Sequence, residues 1–243
     1  MSALSGCQPG DRSVAADGSP LLLLTGVSRS YGSLQALKPI DLAVAAGQCI
    51  ALLGVNGSGK STLLRIAAGR DTATTGQVHY DGHPLREDAL VARTEIALAS
   101  DVSSTYPDLT VREHLMLVAV AHGAGGGAQR LVGDALAECR LADHDSALPG
   151  SLSSGQRQAL QLAAVLVRPR RLLILDEPEQ RLDPAARRWL ADLLATEKRR
   201  GAAVLLATHH VELAEAVADQ AVVLHDGGVI GRGTPSDALG SMR

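Results

Sequence analysis

The residues with the clearest chemistry are Gly54-Val55-Asn56-Gly57-Ser58-Gly59-Lys60-Ser61-Thr62, a complete GxxxxGK[ST] motif. In such a loop the glycines let the backbone curl, so that successive N–H groups face phosphate oxygens at a helix N-terminus. Lys60 adds a point charge for the β- and γ-phosphates, and the Ser61 hydroxyl is suited to ligate Mg²⁺. The motif is credible only between a strand and a helix. Upstream, Cys49-Ile50-Ala51-Leu52-Leu53 reads as a buried strand; downstream, Leu63, Leu64, Ile66 and Ala67 follow helical spacing that stops at Gly69. A glycine-rich turn with a surface lysine would not require that setting. The loop predicts a site for a magnesium nucleoside triphosphate.

A second stretch, Arg171-Leu172-Leu173-Ile174-Leu175-Asp176-Glu177-Pro178, is an apolar strand ending in two carboxylates. At such a strand end Asp176 suits the Mg²⁺ shell, and Glu177 suits a general base for a water near the γ-phosphate. The plainer alternative is a strand that ends in a solvated turn. His209 follows another apolar run, Val204–Ala207 and Thr208, and is a candidate γ-phosphate contact. Leu152-Ser153-Ser154-Gly155-Gln156 opens a helix with Ser153 at the N-cap, leaving free N–H groups that can meet a phosphate. Many helices begin this way and bind nothing, so this stretch is weak evidence alone.

These residues need a scaffold. The spacing predicts strands near Leu21–Val27, Ile40–Val44, Cys49–Leu53, Gln77–Tyr80, Glu95–Ala99, Leu172–Leu175, Ala203–Ala207, Ala221–Leu224 and Val229–Ile230. Helices are expected at Lys60–Ala68, Val111–Ala121, Gln129–Cys139, Gly155–Val167, Pro184–Lys198 and Val211–Val217. Several strands are unbroken apolar runs, as in a largely parallel sheet covered on both faces. From about Val102 to Gly150 the pattern is helical, with a flexible hinge at Gly123–Gly127, and reads as a subdomain inserted into the α/β core. Residues 1–19 have the composition of a disordered tail, and 20–243 read as one domain.

Composition narrows the function. The chain has 243 residues, 46% of them apolar, and no Phe, so Leu, Val, Ile and Ala must build the core. With 23 basic and 26 acidic side chains, net charge −3, there is no electrostatic case for nucleic acid. The cysteines are Cys7, Cys49 and Cys139, without CxxC spacing, and the eight histidines show no metal-ligand spacing with cysteines or carboxylates. No apolar run approaches the roughly 18 residues of a membrane span. A cytosolic chain is expected, with any membrane role left to another polypeptide.

Taken in order, the motifs resemble the nucleotide-binding subunits of ATP-binding-cassette (ABC) transporters from about Pro20 onward. The resemblance implies an α/β fold, a P-loop NTPase RecA-like core with an antiparallel β-subdomain and an inserted helical subdomain. It implies ATP and Mg²⁺ as ligands, bound by Gly54, Asn56, Gly57, Ser58, Gly59, Lys60, Ser61 and Thr62. Asp176 matches the metal-positioning acid, Glu177 the catalytic base and His209 the switch histidine. Tyr31 matches the aromatic that stacks on adenine. Ser153, Ser154, Gly155 and Gln156 fall in the family signature, usually Leu-Ser-Gly-Gly-Gln. Leu182-Asp183 matches the loop linking two active sites.

Such subunits work as head-to-tail dimers, homodimers or heterodimers, each ATP lying between one phosphate loop and the partner's signature helix. Integral membrane permease subunits receive the motion, so the chain would sit peripherally on the cytoplasmic face of the cell membrane. The sequence also departs from the family. Asp101 stands where a glutamine that reaches Mg²⁺ and the attacking water is usual, and Ser154 replaces the first signature glycine. Glu179-Gln180-Arg181 is bulkier than the usual linking loop. An alternative is therefore a module that dimerises with ATP but hydrolyses it weakly. A DNA- or ribosome-acting relative would carry long coiled-coil insertions or a second cassette, whereas 92 residues separate Lys60 from Ser153.

Overall fold

The computed structural model describes residues 19–86, 90–99 and 105–240. The expectations for the N-terminal tail and for Asp101 therefore lie outside the described residues, apart from Ser19. The chain opens with β1 (Leu22–Tyr31), β2 (Leu34–Val44), β3 (Cys49–Leu53), α1 (Lys60–Ala67), β4 (Thr75–Tyr80) and β5 (His83–Pro84). Next come α2 (Leu90–Thr94), β6 (Ile96–Ala99), α3 (Val111–Ala121), α4 (Ala128–Glu138), α5 (Ser154–Leu166) and β7 (Leu172–Asp176). The rest is α6 (Pro184–Arg199), β8 (Ala203–Ala207), α7 (Val211–Val217), β9 (Gln220–His225), β10 (Gly228–Gly233) and α8 (Pro235–Gly240).

Two sheets form. The larger has the order β10-β9-β3-β8-β7-β6, with every pairing parallel except β10 to β9. The smaller, β2-β1-β4-β5, is antiparallel. Strand alternation builds two cores from one sheet, because successive side chains point to opposite faces. Leu172 and Ile174 of β7, Leu205 of β8, and Ile50 and Leu52 of β3 join α1 and the small sheet on one side. Leu173 and Leu175, Val204 and Leu206 face the other side, against α3, α4, α5 and α6. This double burial explains why those strands lack polar alternation.

Helix starts are set by short side chains. Thr110 and Glu113 form a reciprocal capping box on α3, as Ser153 and Gln156 do on α5. Asp183 caps α6 by accepting from the Ala186 N–H at 2.7 Å, with Pro184 in the first turn. Among the described residues no strand lies between Ala99 and Leu172. The expected glycine hinge contains a 3₁₀ turn over Gly125–Gly127 that leads into α4. The spacing did not reveal β5, α2 or α8, which are 2, 5 and 6 residues long. Segments that short carry too little periodicity to be read.

Candidate nucleotide site

Sheet order brings three sequence-distant segments together. β3, β8 and β7 are adjacent and parallel, so their C-terminal ends share one edge. The phosphate loop leaves β3, Thr208 and His209 leave β8, and Asp176 and Glu177 end β7. Backbone hydrogen bonds lock this edge: the Thr208 N–H donates to Leu52 O at 3.1 Å and the Glu177 N–H to Ala207 O at 2.9 Å.

The loop conformation requires glycine. Gly54, Gly57 and Gly59 have φ of 149°, 81° and 103°. A Cβ on Gly54 would lie 2.3 Å from Leu224 O, and one on Gly59 would lie 2.6 Å from Leu37 Cδ2 and 2.9 Å from Ala36 O. Close approach dictates glycine at 54 and 59, and the positive φ alone favours it at 57. Lys60, only 5% exposed at its side chain, donates to Gly54 O at 2.8 Å and Val55 O at 3.1 Å; its Nζ stands 3.7 Å from Glu177 Oε1. Asn56, Gly57, Gly59, Lys60, Ser61 and Thr62 line a cavity of about 610 Å³ that Asp176, Glu177 and Gln180 close from the β7 side. Gly54 and Ser58 do not line it; Ser58 is buried, its hydroxyl without a hydrogen-bond partner.

The carboxylates differ. Burial pushes the Asp176 carboxyl above the usual range; a hydrogen bond with Ser61 partly offsets this, while the neighbouring charge of Glu177 adds to the rise. Glu177 sits at φ 48°, the left-handed region that a residue with a Cβ rarely adopts. Its Oε2 accepts from Gln180 Nε2 at 2.6 Å and lies 3.6 Å from His209 Nδ1.

Other expected site residues lie elsewhere. Tyr31 does not line the cavity; its hydroxyl donates to Asp71 and the Arg29 guanidinium carbon is 4.5 Å from its ring centroid. Ser153, Ser154, Gly155 and Gln156 are also absent from its lining, and Ser153 and Ser154 are exposed. The Gln156 amide accepts from the Ser153 N–H at 2.8 Å and lies 2.8 Å from His144 Nε2. Asp183 is exposed at the start of α6. Sequence reasoning missed Gln180 as a neighbour of Glu177, and Leu34, Ala36 and Gly227 as cavity walls. No motif marks those walls, since β2 and the β9–β10 turn reach the loop only through the tertiary fold.

A glycine loop at the edge of a parallel sheet, facing the carboxylates of a nearby strand, defines a P-loop NTPase fold. The family model for ABC transporters matches residues 37–180. The "Nod factor export ATP-binding protein I" of Paraburkholderia xenovorans is 35% identical over 216 residues, 88% of this chain and 71% of that protein. A solved ATP-binding subunit of an ABC transporter is 33% identical with TM-score 0.80, covering 88% of this chain and 90% of its own. A dimeric ATP-binding cassette in a post-hydrolysis state bound to ADP and Pi is 25% identical with TM-score 0.79, covering 88% of this chain and 98% of its own. The chain belongs to the ABC transporter family, as an ATP-binding and ATP-hydrolysing subunit. No helix among the described residues is long and apolar enough to cross a membrane.

Proposed function

We propose that the strand-end cluster hydrolyses ATP and that hydrolysis drives a transporter whose membrane domains lie on other chains. One observation carries the assignment of roles: Lys60, Asp176, Glu177 and His209 stem from three adjacent parallel strands and converge on one edge. Backbone N–H groups of the loop and the Lys60 ammonium hold the β- and γ-phosphates, phosphate oxygens replacing the carbonyls that Lys60 now contacts. Glu177 takes the proton of the attacking water. His209 stabilises charge on the γ-phosphate side.

Ser61 and Asp176 form a hard oxygen pair, a hydroxyl bonded to a partly buried carboxyl, which fits Mg²⁺. Bound there, the ion would neutralise charge between the β- and γ-phosphates. Asp101 is the further candidate oxygen ligand. Its charge near the γ-phosphate is expected to slow turnover relative to a glutamine, and an Asp101→Gln variant with unchanged ATPase rate and transport would refute that.

Two cassettes, identical or related, are proposed to pair head to tail. The signature residues Ser153, Ser154, Gly155 and Gln156 of one then cover the phosphate loop of the other, and Asp183 links the two sites. The absence of those residues from their own chain's cavity supports this arrangement. Tyr31 would stack on adenine after releasing Arg29. The permease subunits would sit in the membrane with this chain on its cytoplasmic face, and the relatives named for Nod factor export favour export.

The deciding experiment measures turnover of the purified chain and of Glu177→Gln, together with light scattering in MgATP. Loss of turnover with ATP-driven pairing retained is expected. Equal rates in the two proteins would favour the weakly hydrolysing dimerisation module.

A further inference from the structure

Beside the nucleotide cavity lies a group that hydrolysis does not use. Glu179, one residue past Pro178, is 1% exposed. Its Oε1 accepts from the Thr208 hydroxyl, while its Oε2 has no hydrogen-bond partner. A buried carboxylate with one orphaned oxygen is costly unless charge of the opposite sign reaches it. Burial accordingly pushes its pKa up, with the Thr208 hydrogen bond pulling the other way.

The two histidines are the nearby donors. One ligand atom each from Glu179, His209 and His210 lies within 4.8 Å of the other two. The His209 and His210 rings are 4.5 Å apart between centroids and inclined by 37°. Two imidazoles and one carboxylate are the donor set of many open zinc sites. Zinc–ligand bonds of about 2.0–2.2 Å in a tetrahedron put ligands roughly 3.3 Å apart, so the trio must close by at most about 1.5 Å. The exposed His209 side chain, 49% accessible, and the partly exposed His210 can swing to do so, while Glu179 is anchored.

We propose that Glu179, His209 and His210 form a three-ligand site for a borderline transition-metal ion, Zn²⁺ or Co²⁺, with a water position open. Mg²⁺ is a poor competitor, because a site with two nitrogens suits softer ions. The surroundings set one condition. Arg187 Nη1 lies 3.1 Å from His210 Nδ1, and a guanidinium can only donate, so the neutral ring accepts there. The metal must displace Arg187 or shift the tautomer of His210. Either way a neighbouring cation opposes binding.

Occupancy would also draw His209 away from Glu177, 3.6 Å distant, and so slow hydrolysis. That consequence, unlike the site itself, rests on the catalytic role proposed for His209.

The test titrates the full chain, without nucleotide, with Zn²⁺ by calorimetry and with Co²⁺ by visible absorption. One equivalent is expected to bind saturably and to give the d–d bands of a low-coordinate Co²⁺ site. Glu179→Gln keeps the Thr208 hydrogen bond and should weaken binding at least about 10-fold, as should His210→Asn. Arg187→Ala should tighten it. Absent binding, or binding unchanged in Glu179→Gln and His210→Asn, overturns the site. Near-UV circular dichroism of Trp189, recorded on the same samples, reports whether each variant is folded. Turnover with and without Zn²⁺ then tests the consequence: inhibition in the wild type that Glu179→Gln relieves is expected. A chain that turned over no ATP at all would count against the hydrolytic reading and leave the metal titration decisive.

Discussion

The Gln180 amide donates to Glu177 Oε2 at 2.6 Å, on the side chain whose other oxygen faces Lys60. Glu177 is thus held from two sides while its backbone stands in the left-handed region. Strain of that kind persists only where the surroundings over-determine it. In the proposed mechanism Gln180 positions Glu177 and takes no part in the chemistry. Replacing it with Ala should lower kcat roughly 10-fold with little change in KM, since a small misplacement of the base affects the transition state more than binding. Steady-state kinetics checks the split; a rise in KM at constant kcat would contradict it.

Glu177→Gln removes the proposed base but keeps the size of the side chain and its reach to Lys60. Turnover should fall about 10²-fold or more, with ATP affinity preserved. Rapid-quench hydrolysis and equilibrium nucleotide binding, measured on the same preparation, separate the two quantities.

Gly59→Ala tests the loop backbone. The new methyl meets Leu37 Cδ2 and Ala36 O at 2.6 and 2.9 Å, at φ 103°. Left-handed strain and overpacking each cost about 1–3 kcal/mol. Thermal denaturation should report a lower midpoint, and ATP should no longer raise it.

Glu197 links the basic Arg168–Arg171 segment to the end of α6. Its side chain is 2% exposed and bonds Arg170 Nε at 2.6 Å and Arg200 Nη1 at 2.9 Å. Burial disfavours its charge, but hydrogen bonds and attraction from Arg170, then Arg200, outweigh that and hold the carboxyl below the usual range. Arg200 is half exposed, so solvent screens its share. Glu197→Gln should cost about 3 kcal/mol at pH 7, because it strands the Arg170 charge. The folded pKa lies below the unfolded one, so this stability is present above about pH 4.3 and fades as pH falls through the folded value. Urea midpoints of wild type and variant should therefore converge in acid.

Much was legible before any coordinates. The phosphate loop, the Asp176-Glu177 strand end and the cap at Ser153 are local: each depends on residues within one turn or one strand, where spacing alone constrains the backbone. Unbroken apolar runs such as Leu172–Leu175 signalled burial on both faces, and β3, β8, α3 and α7 begin and end where their spacing predicted. Short elements such as α2 and β5 offered no period to read.

Which strand ends would be neighbours was not legible, because order across a parallel sheet is a long-range choice made by packing. That choice alone seats His209 beside Glu177, closes the cavity with β2 and the β9–β10 turn, and sets Glu179 under Thr208 with two histidines at hand. In the chain Glu179 and His209 are 30 positions apart with no spacing rule to join them. Local chemistry is written in consecutive residues; proximity across the sheet edge arises only when burial of both its faces fixes the order of its strands.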